Sequence, residues 1–301
     1  GNTPLKDDNT GDPGVYDLLA TMGDIDWSKV VIFMLDEYGG TSFDYHRFIQ
    51  ENFVTKLEKS SKKLPTVYCL VDPVSERPSK KRDEYNRNIK EFEQHHIYSI
   101  SPTEYRKIFD TEISKARPNG PRKAHVGFYG LGKARQALDG RYVGVHIAFN
   151  EEGSTPDQVT RRTELSARTI ISNADDPGIQ RQIDKTQTEI KTMGIEGVEQ
   201  ALRDSEIPKA YANTTGMREI LEETEMNIVA ANGESKIPSV DIVAHGEISP
   251  DNPASYMREY GKTILVVDKG AGRNLLQSAS KTISAEKPLP LIDIRAARKG
   301  I

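Results

Sequence analysis

Short runs rich in branched and apolar residues constrain this chain more than any other feature. Val30-Val31-Ile32-Phe33-Met34-Leu35 and Thr66-Val67-Tyr68-Cys69-Leu70-Val71 are the clearest, and similar runs recur at 125–129, 142–149, 227–231, 240–244 and 263–267. A strand with one face in water alternates polar with apolar residues. A continuous run suits a strand covered on both faces, as in a parallel sheet between helices. Helical patterns fall at 14–22, 43–58, 82–95, 103–116, 178–204, 216–224 and 251–259. The alternation predicts an α/β fold: a Rossmann-like, mostly parallel sheet flanked by helices. With 301 residues and no break in composition, a single domain over residues 1–301 is expected.

Charge and cysteine content narrow the function classes. The 41 basic and 45 acidic residues leave a net charge of −4, so no overall field draws the chain to nucleic acid or to an anionic membrane. The apolar runs are too short to span a bilayer. A lone cysteine, Cys69, excludes an intrachain disulfide and a multi-cysteine zinc site, and fits a reduced cytoplasmic setting. The basic stretches 56–63 and 77–87 read as solvated helix ends and loops.

Several constellations could carry chemistry. Asp36-Glu37-Tyr38-Gly39-Gly40 follows the first apolar run, which puts carboxylates at the carboxyl end of a buried strand, where open α/β sheets bind ligands. The same residues also read as a strand exit into a glycine turn. Gly1-Asn2-Thr3-Pro4 could offer backbone N–H groups to a phosphate or form an ordinary turn. Gly127-Phe128-Tyr129-Gly130-Leu131-Gly132 permits close backbone approach to a ligand without matching a dinucleotide fingerprint. Lys236, just beyond the run ending at Ala231, could neutralise a phosphate or stand exposed. His146-Ile147-Ala148-Phe149-Asn150-Glu151 pairs an imidazole, which exchanges protons near neutral pH, with a carboxylate that could orient it. In a straight strand the two face opposite sides, so the pair needs a bend near Asn150.

Taken in order, these pieces resemble the glucosamine-6-phosphate deaminase/isomerase family. Gly1-Asn2-Thr3-Pro4 is similar to its Gly-Gly-Thr-Pro loop, Asp36-Glu37-Tyr38 to its Asp-Glu-Tyr, and His146 to Glu151 to its His-Ile-Ala-Phe-Asn-Glu. Arg162-Thr163, Pro208-Lys209-Ala210-Tyr211-Ala212 and the 233–236 stretch are similar to later signatures, so the likeness covers roughly residues 1–270. The related 6-phosphogluconolactonases typically carry Asp-Glu-Arg and a His-x-Ala-Ser-Leu-Phe-Pro segment; Tyr38 and Asn150-Glu151 favour the deaminase branch.

The resemblance implies an aldose–ketose isomerase and deaminase that needs no cofactor or metal and acts on a small sugar phosphate. It implies that His146 opens the sugar ring, that Glu151 orients and polarises the imidazole, and that Asp36 carries a proton between C1 and C2. Glu37 would shape the site, while Gly1, Asn2, Thr3, Lys236 and Arg181 would hold substrate and phosphate. It also implies a homo-oligomer, although no interface is legible in the residues.

Departures leave other readings open. Gly144 stands where the family has an aspartate two residues before the histidine. Insertions are expected near 6–14, 133–142 and 182–207, and a first strand is expected upstream of residue 1. The second insertion contains Asp139-Gly140, so Asp139 is a candidate for the displaced carboxylate. Glu164 and Ser166 occupy positions where the family's effector site is basic, so allosteric activation is not carried over. A sugar-phosphate sensor without turnover is the alternative function, and lactone hydrolysis on the same fold is a third.

Overall fold

The computed structural model describes residues 15–40, 43–72, 82–137, 139–260 and 262–278. Eleven strands lie among them: β1 (Val31–Phe33), β2 (Asp36–Tyr38), β3 (Thr66–Leu70), β4 (Ile97–Ile100), β5 (Ala124–Gly130), β6 (Arg135–Gln136), β7 (Tyr142–Val143), β8 (Arg161–Glu164), β9 (Tyr211–Thr214), β10 (Thr224–Ala231) and β11 (Lys262–Val267). Both sheets built from the apolar runs are parallel, in the orders β1-β3-β4 and β11-β10-β5, and helices supply the crossovers that parallel neighbours require. The architecture is the expected Rossmann-like α/β arrangement. The chain divides into two compact units, one formed by residues up to 112 with 160–214, the other by 113–159 with 215 onward.

The first unit holds β1, β3 and β4. Val67, Cys69 and Ile97 are buried in a core closed by Trp27, Phe43, Phe53, Tyr85 and Phe92. This is why the run 66–71 is apolar throughout. The run 30–35 is interrupted: β1 ends at Phe33 and Asp36–Tyr38 becomes a separate strand, antiparallel to β9, with Glu37 opposite Asn213. Asp36-Glu37-Tyr38 is therefore neither the tail of a parallel strand nor a glycine turn. β8 joins the same antiparallel sheet on the other side of β9. The expected 178–204 helix is broken twice: Asp184 in left-handed backbone ends Pro177–Ile183, and the following segment Gln187–Arg203, which starts at a capping box of Thr186 and Glu189, is kinked at Gly194 with φ +67°.

The second unit is built on β5, β10 and β11. Residues 240–244, read as a strand from their apolar run, lie in the helix Ile237–His245 that crosses from β10 to β11. Val240, Val243 and Ala244 are buried at three- and four-residue spacing, Pro238 stands in the first turn, and Gly246 follows the last. The run 142–149 is also not a strand throughout. Pairing stops at Val143, where Gly144 turns the chain with φ +80°. The insertion at 133–142 forms the antiparallel β6–β7 hairpin. Among the described residues no helix is long and apolar enough to cross a membrane.

Candidate functional site

In the second unit, the parallel sheet sets three loops on one edge. β5 and β10 run side by side, with Gly130 opposite Ala230, so the loop after Gly130 and the loop after Ala231 leave from the same carboxyl edge. Lys236 sits in the second loop, at the start of the helix Ile237–His245. Its half-buried ammonium donates to the Leu131 carbonyl at 2.5 Å. Burial lowers its pKa, and the neighbouring Lys133 charge adds to the effect. Ser239 in the same helix accepts the Ala134 N–H at 2.7 Å, so the first turn holds the β5 loop at both ends. Asp268, just past β11, accepts the N–H groups of Gly233 and Ala271 and fixes the third loop. Two lysines beside a helix N-terminus make this edge suited to an anion.

His146 belongs to the same unit and leans on the β5 loop. Gly132 donates its N–H to the His146 carbonyl at 2.8 Å. A methyl group on Gly132 would stand 2.6 Å from Cε1 of the ring, so only glycine lets the imidazole lie there. The ring's Nδ1 is 2.9 Å from the Gly144 carbonyl. A carbonyl can only accept, so Nδ1 carries the proton and Nε2 is the basic nitrogen. A main-chain oxygen thus serves the position where a carboxylate is expected.

The bend that the pair requires is centred on Ala148. Asn150 donates its N–H to Ile147 at 3.1 Å, the two residues form an antiparallel bridge, and Ala148 adopts φ +51°. Asn150 is fully buried, and its amide donates to the carbonyls of Ile147 and Thr215. His146 and Glu151 flank this bridge, one on each side of the turn. Asp139 is placed differently. It is exposed in the hairpin turn, where its carboxylate accepts the Arg141 main-chain N–H at 3.0 Å and Nε at 2.7 Å, and these bonds lower its pKa. The structure therefore does not bring Asp139 back as the partner of His146; Gly144 holds that place.

The first unit carries Asp36, Glu37 and Arg181. Asp36 is half-buried on β2, and burial pushes its pKa up to about 6. A carboxylate tuned this way can take and return a proton near neutral pH. Glu37 points to the other face and is fully buried. One oxygen accepts the Tyr38 N–H at 3.0 Å; the other accepts the Tyr45 N–H at 3.0 Å and faces His46 Nδ1 at 3.1 Å. Burial raises Glu37 to about 8, with the Asp44 charge adding to it. His46, whose Nε2 lies 3.0 Å from the Ser99 hydroxyl, is kept neutral by burial. Arg181 is half-exposed in the helix Pro177–Ile183, and its guanidinium pairs with Asp44 at 2.7 Å. Gly1, Asn2 and Thr3 lie outside the described residues.

Sequence reasoning missed His46, the Gly144 carbonyl and the Gly132 contact. The sequence does place His46 nine residues after Glu37, but nothing in that spacing marks the two as partners.

No family model matches the chain. Curated relatives do. A glucosamine-6-phosphate deaminase of Rhodopirellula baltica is 31% identical over 126 residues, 42% of this chain and 40% of the relative. Glucosamine-6-phosphate deaminase 2 of Bacillus subtilis is 23% identical over 287 residues, 93% of this chain and 85% of the relative. A glucosamine-6-phosphate isomerase of Candida albicans is 21% identical, covering 83% and 75%. The chain spans 40% and 58% of the lengths of the Rhodopirellula and Lactobacillus delbrueckii deaminases it matches. Among solved structures, a monomeric glucosamine-6-phosphate deaminase aligns with TM-score 0.42 at 17% identity, covering 81% of this chain and 87% of that one. A 6-phosphogluconolactonase from Leishmania guyanensis aligns with TM-score 0.38 at 15% identity, covering 86% and 91%. The chain is an α/β protein with a histidine and lysine edge on a parallel sheet. Within that class its sequence is similar to glucosamine-6-phosphate deaminases and isomerases.

Proposed function

We propose that this protein is a sugar-phosphate isomerase and deaminase that converts glucosamine 6-phosphate to fructose 6-phosphate and ammonia. In this reading Nε2 of His146 takes the proton of the anomeric hydroxyl and returns it to the ring oxygen, which opens the pyranose. Glu151, on the far side of the same turn, stabilises the imidazolium that forms in passing. Asp36 removes the proton from C2 and delivers it to C1. The resulting C2 imine is hydrolysed by water, which leaves the ketone and releases ammonia. Lys236, with the N–H groups at the start of its helix, holds the phosphate.

The observation that carries the reading is the imidazole of His146, whose tautomer is set by the Gly144 carbonyl so that Nε2 is basic. The half-buried Asp36, near pKa 6, and the relatives' names support it. The test is incubation with glucosamine 6-phosphate and assay of both products. Equimolar ammonia and fructose 6-phosphate support the proposal. A second reading is favoured by Gly144 itself, which stands where the family carries an aspartate: a sugar-phosphate-binding protein without turnover. Calorimetric binding of the sugar phosphate with no product formed would establish that alternative.

A further inference from the structure

The carbonyl that orients His146 does not stand by itself. It lies on a short stretch, 142–145, that ends a hairpin and carries a left-handed glycine, so its direction depends on what holds that stretch. The loop preceding the 3-10 helix Pro253–Arg258 does so. Asp251 accepts the Gly144 N–H at 2.7 Å through its main-chain carbonyl, and Ala254 donates its N–H to the Val145 carbonyl at 3.0 Å. Between these main-chain bonds sits one side chain. Asn252 accepts the Val145 N–H on Oδ1 at 3.2 Å and donates Nδ2–H to the Tyr142 carbonyl at 3.3 Å. The two partners fix the amide's orientation, since an N–H can only donate and a carbonyl can only accept. The side chain is nearly buried, with 7% of the residue exposed. Its own backbone is tied at both ends, its N–H to the Ser249 carbonyl at 3.0 Å and its carbonyl to the Ser255 N–H at 2.8 Å.

We infer that Asn252 is a positioning residue: by bracing Tyr142 and Val145 it aims the Gly144 carbonyl at Nδ1 of His146 and so presents Nε2 as the proton acceptor. The inference rests on the proposed role of His146. A main-chain carbonyl cannot swing with the ring as a side chain can, so its direction depends on the brace. Sequence reading offers no signal for it, because Asn252 lies 106 positions beyond the histidine it orients.

The experiment is nitrogen NMR of histidine-labelled protein at about pH 8.5, where ordinary imidazoles are neutral, with the His146 signals identified by His146→Gln. The wild type is expected to show Nδ1–H for His146. In Asn252→Ala, checked for folding by its circular dichroism and melting curve, the signals move toward a mixture with the Nε2–H form. With glucosamine 6-phosphate, kcat falls about tenfold while KM stays within about twofold, the split expected when proton transfer and not binding is impaired. Asn252→Asp keeps the acceptor for Val145 and loses the donor to Tyr142, and gives an intermediate shift. An Nε2–H tautomer in the wild type, or an unchanged Nδ1–H signal in both folded variants, overturns the inference. If the tautomer moves as described but the wild type makes no fructose 6-phosphate, the functional proposal fails and the bracing role stands.

Discussion

Two glycines near His146 act in different ways, one through the space it leaves and one through its backbone. Gly132 has no side chain where the imidazole lies, and a Cβ would stand 2.6 to 2.8 Å from three ring atoms. Gly132→Ala should therefore displace the ring and lower kcat at least about tenfold, because a misplaced proton-transfer group loses most of its effect; steady-state kinetics beside an unchanged circular dichroism spectrum would show it. Gly144, at φ +80°, holds a backbone conformation costly for any other residue. Gly144→Ala should cost about 1–2 kcal/mol in urea unfolding. His46 is the third telling residue. The unfolded chain charges this imidazole near pH 6.5, whereas burial holds it down to about 3 in the fold. Stability linked to His46 is present above pH 6.5 and is lost as pH falls toward 3. The stability gap between wild type and His46→Gln should thus shrink by about 2 kcal/mol from pH 7.5 to pH 5; a constant gap would contradict neutral burial.

At the scale of elements, the helix Ile237–His245 links fold to chemistry. It is the crossover between β10 and β11, and its first turn bonds the β5 loop through Lys236 and Ser239. Lys236→Met should weaken inorganic phosphate binding at least about tenfold by calorimetry while costing little stability, because Met keeps the buried stem and removes the charge. Equal affinity in both proteins would show that the anion binds elsewhere. This helix also shows where a sequence stops being informative. A short stretch such as Val240-Asp241-Ile242-Val243-Ala244 fits a strand as well as a helix, and Pro238 and Gly246 at the helix ends distinguish them. The runs at 66–71, 227–231 and 263–267 were legible because none of their positions is exposed: one face is buried and the other half-buried, which favours branched and apolar residues throughout. β8, with the sequence Arg-Arg-Thr-Glu, left none, because its residues stay half-buried or exposed in an antiparallel sheet. The acid–base residues proposed for the site have letters in the sequence. The Gly144 carbonyl was not legible, since a main-chain acceptor has no letter of its own.

At the scale of the whole molecule, the groups proposed to act lie in two compact units, Asp36 in one and His146 with Lys236 in the other. The central claim is that these groups perform an aldose-to-ketose proton transfer, and that claim can be read in the product. Wild-type protein and Asp36→Asn are incubated with glucosamine 6-phosphate in deuterium oxide, and the fructose 6-phosphate is examined by proton NMR. The account predicts that the wild type forms fructose 6-phosphate with ammonia, with deuterium at C1 to the extent that the shuttled proton exchanges with solvent. It predicts no ketose from Asp36→Asn, which still binds the sugar phosphate. Ketose formation by Asp36→Asn at the wild-type rate, or none by the wild type, would contradict it.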